Sequence, residues 1–413
     1  MIIGAGASGL TAGIMAGRRN IPCLFLEHET AAGRKLLATG NGKCNFTNSY
    51  QELSCYHSNK KELIPVILKQ FGHQETLEFF DSIGMLYREK NGYFYPISEQ
   101  ASSVRDLLLY ENERLGNRFS YHDHVFSVEK KGTYFHITTA HHEYDCQNVI
   151  LAMGGKSQKN LGSDGSGYEI LRKAGHLVHK EVPALTSLFW ELPNKKKLAG
   201  VRAKGTIRLY CKEVPVSEQS GELQFTDYGI SGIPVFQFSR FVSQKDESFS
   251  VSIDLLPELS EEPLAQKIAS ILMHQKCRIQ DIDTVIMPLK GLLHEKLLRY
   301  ILTEKLHPRY LENIYHFEHK KTAKKEIMEF ARETATHIKR FEGVVTKAND
   351  FDHAQVTAGG VDLSEIDPDT MESRRIPGLY ITGELLDVDG ICGGYNLQWA
   401  FTTGAIAGGA VRP

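Results

Sequence analysis

The sequence has no CxxC pair. Its seven cysteines (Cys23, Cys44, Cys55, Cys146, Cys211, Cys277 and Cys392) are odd in number and scattered, which argues against a disulfide scaffold or a thiolate zinc site and fits a reducing cytoplasm. It also lacks a charge excess. Lys and Arg total 48 against 50 Asp and Glu, a formal net charge of −2, so nothing draws the chain in general to nucleic acid or to an anionic membrane. A small molecule is the default ligand. No run is long and apolar enough to span a bilayer. No P-loop, HExxH, nucleophile elbow, internal repeat or low-complexity tract occurs. The opening MIIGAGASGLTAGIMAGRR is not read as a signal peptide, because its cations follow the apolar run.

What remains is a globular chain of 413 residues, 41% hydrophobic and 24% charged, long enough for two or three structural units. Met1–Ile3 reads as a strand stub, Leu10–Arg19 as a helix and Pro22–Glu27 as a second strand, the β-turn-α-β opening of a dinucleotide-binding fold. The stub is short, so the natural start is expected a few residues upstream. Between strand and helix lie Gly4, Gly6 and Gly9 as GxGxxG. The first allows the turn, the second admits a diphosphate and the third lets helix and strand pack, while the helix N-terminus offers amide donors. Glu27 ends the second strand 18 residues after Gly9, where its carboxylate would accept ribose hydroxyls. An acid there suits FAD or NAD better than NADP.

Further along, Val104–Leu115 has helical periodicity and stops at Gly116, and FSY, VFSVEK, YFHITT and YDCQNVILAMGG read as a β-meander returning to a core strand, Asn148–Met153. Beyond Pro183 the strand-like GTIRLY and FSVSIDLL precede three amphipathic helical stretches, LSEEPLAQKIASILMHQ, LKGLLHEKLLRYILTEKL and KKTAKKEIMEFARE, the texture of an inserted domain. Strands and glycine turns return near Ala335. The expected organisation is therefore 1–184 and 337–413 as two parts of one cofactor domain, with 185–336 inserted between them.

The stretch GRKLLATGNGKCNFTN, 33–48, fits a loop that wraps a long cofactor. Arg34 and Lys35 would face the diphosphate, Gly40 and Gly42 would bring amides close, and Asn41 and Asn45 would add polar contacts. Cys44 reads as a small packed residue rather than a redox thiol. LAMGG, 151–155, and GLYITGE, 378–384, each end a strand in glycine, the second followed by Glu384. GGYNLQWAFTTGAIAG, 393–408, opens a helix whose N-terminal dipole would face the pyrimidine end of a flavin. Gly404 and Gly408 are read as helix packing. His122 with His124, and the adjoining His141 and His142, read as exposed polar positions, and Glu384, Asp387 and Asp389 lack a calcium-loop pattern, so no metal site is expected.

GxGxxG, GRKLLATGNGKCNFTN, GELQFTDYGISG, QVTAGGV and GLYITGELLDVDGICGGYNLQWAF together make the chain resemble the BaiN-type (YhiN-like) bacterial NAD(P)/FAD-dependent oxidoreductases over essentially its whole length. The resemblance implies an α/β Rossmann-like FAD domain built from both chain ends, with an inserted β-barrel-like and helical domain. It completes the set expected to hold FAD: Gly4, Gly6, Ser8, Gly9, Glu27, Arg34, Lys35, Gly40, Asn41, Gly42, Cys44, Asn45, Val125, Gly154, Gly383, Glu384, Gly394, Tyr395, Asn396 and Leu397. The family's FTHxGxSGP reads FTDYGISGIP here, 225–234, so Asp227 replaces a histidine and Ile233 precedes the proline.

A flavin implies hydride or electron transfer. No second GxGxxG marks a nicotinamide domain, so NAD(P)H would dock transiently. The leading expectation is an NAD(P)H-dependent reductase of a carbon–carbon double bond conjugated to a carbonyl. Tyr228, Asp227 and Tyr395 are the candidates for proton donation and carbonyl binding, and the resemblance implies 3-oxo steroid or bile-acid dienes as one substrate class. An FAD oxidase of small amines or aminoketones and a non-catalytic flavoprotein are the alternatives. Oligomeric state is left open.

Overall fold

The structure, a computed structural model, describes residues 1–274, 281–315 and 323–413; Cys277, the last residue of LSEEPLAQKIASILMHQ and the first three of KKTAKKEIMEFARE lie outside them. The chain divides into two compact units, Met1–Ala184 with Asp350–Pro413, and Leu185–Asn349.

In the first unit, β1 (Ile2–Ile3) runs into α1 (Ala7–Gly17), then β2 (Leu24–Leu26), β3 (Arg118–Ser120), β4 (Val149–Leu151) and, after the second unit, β5 (Leu379–Ile381) and α2 (Tyr395–Ala410). The five strands form one parallel sheet in the order β5-β4-β1-β2-β3, with Ile2 opposite both Ile150 and Phe25. β1, β4 and β5 are buried throughout and β2 nearly so, and these four read as short apolar runs, whereas the edge strand β3, RFS, is partly exposed. FSY belongs to this sheet through β3 and not to the meander, which is the three-stranded Val125–Lys131, Tyr134–Thr139 and Glu143–Cys146. His122 and His124 therefore lie in the connection between the two sheets, not on a strand.

α1 is buried almost all round. Asn112 and Asn117 donate to the carbonyls of Leu10 and Gly13 at 2.9 Å, tying it to the helix Ala101–Arg114 and the turn after it. On its other side, a Cβ on Gly404 or Gly408 of α2 would overlap the carbonyl oxygen of Ser8 or Ala12. These two glycines serve close helix packing, as read.

The second unit is built on a closed six-stranded antiparallel barrel: Leu188–Glu191, Gly229–Ser231, Val214–Phe225, Arg202–Cys211, Phe249–Asp254 and Phe341–Ala348, the last pairing back to the first. Closure leaves no free sheet edge. Trp190, Phe225 and Phe341 fill it with ring centroids about 6 Å apart. The second stretch read as a single helix is interrupted: Glu295–Tyr300 passes into a π-helical turn, Ile301–Lys305.

The return to the first unit falls at Asp350, not at 337. The helix Ala323–Lys339 buries Phe330, Thr334 and Ile338 along one face, so its apolar period runs past Ala335, and Phe341–Ala348 is then needed to close the barrel. No helix among the described residues is long and apolar enough to cross a membrane.

Candidate functional site

The three glycines after β1 divide by function. Gly4 has φ +97°, and a Cβ on it would overlap the carbonyl oxygen of Ala152 on the neighbouring strand. On Gly9 a Cβ would strike the carbonyl oxygen of Gly4, so only glycine lets α1 start this close to the strand. A Cβ on Gly6 would meet nothing within 4 Å. The space a diphosphate needs is thus open at the second glycine. α1 begins there with no side-chain cap and no acid in its first turn, which leaves amide donors and the positive end of the helix dipole for an anion.

Glu27 continues β2 by donating its N–H to Ser120 O, and its buried carboxylate accepts Ala5 N–H at 2.8 Å and Glu29 N–H at 2.9 Å. Burial raises its pKa above the ordinary glutamate value, opposed by the Ala5 hydrogen bond and by the charges of His28 and Arg34. Burial desolvates this carboxylate, and the Ala5 and Glu29 amides orient it. Val125 begins the strand that follows this edge and is buried.

The wrapping loop is a series of left-handed turns: Gly40, Asn41, Gly42 and Cys44 have φ of +56°, +53°, +84° and +55°. Gly42 has open space where a Cβ would point. The Asn45 Oδ1 is buried without a hydrogen-bond partner, a cost that a ligand donor would remove. Cys44 is fully buried, with its thiol pushed up to about 12, a packed and unreactive group. Arg34 and Lys35 are engaged by acids: Arg34 pairs with Glu29, and Lys35 Nζ lies 2.9 Å from Glu384 Oε2. Both cations, expected to face a diphosphate, are thus each held by a carboxylate.

Glu384 is fixed from both sides, since its Oε1 also accepts Thr357 N–H at 2.7 Å. Gly383, with φ +65°, donates its N–H to Thr403 Oγ1, and its carbonyl accepts Trp399 Nε1–H. Ser8 sits against this glycine, where a Cβ would approach its hydroxyl to 2.8 Å. Gly154, φ +73°, turns the chain out of β4. Thr357, Trp399 and Thr403 were not foreseen; QVTAGGV and the QWAFTT run of α2 carried them, but nothing in their spacing marks them as supports for Glu384.

α2 opens at Gly394 in the left-handed region, φ +92°, again with no side-chain cap. The Asn396 side chain is spent on the chain itself, donating to Gly390 O and accepting Gly390 N–H, both at 2.8 Å. What Tyr395, Asn396 and Leu397 offer outward is therefore their helix-start amides. The Tyr395 ring is buried edge-on to Tyr56 with centroids 5.6 Å apart, and burial drives its phenol pKa far above the ordinary range. It is held neutral.

Asp227 and Tyr228 belong to the second unit, in the tight turn between Val214–Phe225 and Gly229–Ser231 that Thr226 closes by exchanging hydrogen bonds with Gly229. Asp227 is exposed. The Tyr228 hydroxyl lies 3.2 Å from Ser187 Oγ, which accepts Asn349 Nδ2–H at 3.1 Å. Gly229 is obligatory, because a Cβ would overlap Leu188 O.

An open diphosphate cradle, a preset ribose acceptor, an orphaned Asn45 oxygen and two uncapped helix starts fit FAD. Over 99% of the chain and 98% of its relative, the sequence is 41% identical to the 3-dehydro-bile acid delta(4,6)-reductase of Clostridium scindens. It is 28% identical, over 98% and 95%, to the ribosomal RNA dihydrouridine synthase of Escherichia coli. Among solved structures, the 3-ketosteroid-delta4-(5alpha)-dehydrogenase of Rhodococcus jostii RHA1 superposes with a TM-score of 0.49 at 13% identity, covering 99% of this chain and 95% of that one. The family described as HI0933-like protein Rossmann domain matches residues 1–410, and the chain belongs to that family.

Proposed function

We propose that this protein is an FAD-dependent, NAD(P)H-driven reductase of a carbon–carbon double bond conjugated to a carbonyl, with 3-oxo steroid or bile-acid dienes as its substrate class. The observation that carries the proposal is the preset Glu27 acceptor beside an open glycine cradle, taken with 41% identity along the full chain to a bile-acid reductase. Bound FAD supplies hydride transfer to and from carbon. Glu27 would hold the ribose hydroxyls, Gly6 and the start of α1 the diphosphate, and the amides at the start of α2 the pyrimidine edge of the flavin ring.

Hydride addition at the β carbon leaves the α carbon needing a proton and the carbonyl oxygen needing a donor. Tyr228 suits the proton better than Tyr395 or Asp227. Ser187 Oγ accepts Asn349 Nδ2–H and stands 3.2 Å from the Tyr228 oxygen; with the serine donating to that oxygen, the phenol hydrogen is left for substrate. Tyr395 is buried, and burial first, then its hydrogen bond with Cys55, raises its phenol pKa so far that it gives up its proton poorly.

A second substrate is favoured by the relatives named as ribosomal RNA dihydrouridine synthases, at 28% and 29% identity. The uracil ring also holds a double bond conjugated to a carbonyl, so the chemistry would be the same and only the recognition would differ. The near-neutral charge of this chain gives no phosphate-binding reason to prefer RNA. Anaerobic turnover of NADPH or NADH with a 3-oxo-4,6-diene steroid, against the same assay with unmodified ribosomal RNA, separates the two. The proposal expects turnover with the steroid, and a Tyr228→Phe variant slower by about 10²–10⁴-fold in that step while flavin reduction by NAD(P)H persists. No steroid turnover with active conversion of RNA would move the assignment to the second substrate.

A further inference from the structure

Beside Glu27, three side chains that the nucleotide site does not use come together from distant parts of the chain. His28 follows Glu27 at the end of β2, His124 precedes Val125, and Asp164 lies in the loop before the helix Ser166–Lys173. One ligand atom from each lies within 4.8 Å of the others. The imidazoles stand edge-on with centroids 5.5 Å apart, and among the described residues neither ring has a hydrogen bond. Asp164 Oδ1 accepts both the N–H and the hydroxyl of Ser166, at 2.9 and 2.6 Å, which leaves its other oxygen unbonded. Glu29 adds a fourth candidate ligand atom: its Oε2 pairs with Arg34, and its Oε1 is 3.5 Å from His28 Nε2.

Two half-buried imidazoles with no hydrogen bond among the described residues, His28 only near the Glu27 and Glu29 carboxylates at 3.9 and 3.5 Å, forfeit hydrogen bonds that water gave them in the unfolded chain. A cation would satisfy both rings and the free carboxylate oxygen at once. Imidazole nitrogen with carboxylate oxygen selects a late first-row divalent ion over magnesium or calcium. Zinc about 2.0–2.1 Å from its ligands requires them about 3.4 Å apart in a tetrahedron, a distance these rings reach by turning about their side-chain torsions.

We propose that His28, His124 and Asp164, with Glu29 Oε1 or water in the fourth position, form a binding site for a zinc-like divalent cation. The ion ties three segments together at the rim of the Glu27 site. One of them needs it most: the loop carrying Asp164 turns through left-handed Gln158 and Gly162 before it and Gly165 after it, with φ of +63°, +99° and +82°. The site is structural and takes no part in the transfer of hydride.

The test counts metal directly, so its outcome does not depend on the substrate or on the FAD assignment. Flavin-loaded protein is stripped with a chelator, mixed with excess zinc sulfate and desalted; its zinc content and thermal midpoint are then measured beside those of His124→Ala and Asp164→Asn. The asparagine keeps an oxygen for Ser166, so that variant retains its helix start. Retention of about one zinc per wild-type chain, with a raised midpoint, and loss of both effects in the two variants is the expected result. No retention by wild type, or equal retention by both variants, as binding at His141 and His142 would give, overturns the proposal. Loss of flavin from His124→Ala with no difference in zinc overturns it as well and assigns that imidazole to the cofactor.

Discussion

At Glu27, burial and hydrogen bonding pull the same carboxyl group in opposite directions. Its pKa is raised by desolvation, so the folded apoprotein holds this proton more tightly than the unfolded chain does. The group's contribution to apoprotein stability is therefore fully present below the ordinary glutamate pKa and is lost as pH rises through the raised one. Ribose hydroxyls donate to the ionised form, so binding FAD must lower that pKa, and affinity for FAD should weaken as pH falls towards it. Titrating apoprotein with FAD across the acid range checks this: wild type should lose affinity on acidification. Glu27→Gln should be flat over the same window and weaker at neutral pH by about 1.5–3 kcal/mol, the worth of a hydrogen bond to a charged group. Equal pH profiles for the two proteins would remove Glu27 from the ribose. Cys44 gives a simpler expectation at this scale: with its thiol pushed up to about 12, it should resist alkylation at neutral pH in the folded protein and react once the chain is unfolded.

Among the elements, α1 and α2 show what sequence could and could not reveal. GxGxxG between a strand and a helix, with an acid ending the next strand, was legible because each residue answers a local steric or hydrogen-bonding demand. The close pairing of α1 with α2 was legible only as small residues, since the demand at Gly404 comes from Ser8, nearly four hundred residues away in the chain. Gly404→Ala should overpack that contact at a cost of about 1–3 kcal/mol, lowering the thermal midpoint by roughly 2–4 °C per kcal/mol. Gly409→Ala, in the same helix with nothing within 4 Å, should instead hold or gain stability. Misread elements failed for equally physical reasons. FSY looks like a meander strand because its alternation is the same whether it pairs with β2 or with a hairpin, and the pairing of Arg34 with Glu29 is visible only once the chain turns between them. The boundary near Ala335 was drawn where short strands resume, whereas the barrel claims the first of them.

Among the described residues there are two hydrophobic cores, one in each unit, and the residues that would hold FAD lie in the first unit. A ligand stabilises only the unit it binds. Calorimetry of the FAD-loaded protein and of the apoprotein should thus show one transition that shifts with FAD and a second that does not; a single transition moving as a whole would mean that the two units unfold together. The chemical claim rests on one observation above the others, the visible spectrum of the purified protein under anaerobic conditions. The account predicts a flavin spectrum that bleaches on addition of NADPH or NADH and returns when a 3-oxo-4,6-diene steroid is added without oxygen. A flavin that neither nucleotide bleaches, or a protein that stays colourless after reconstitution with FAD, would contradict it.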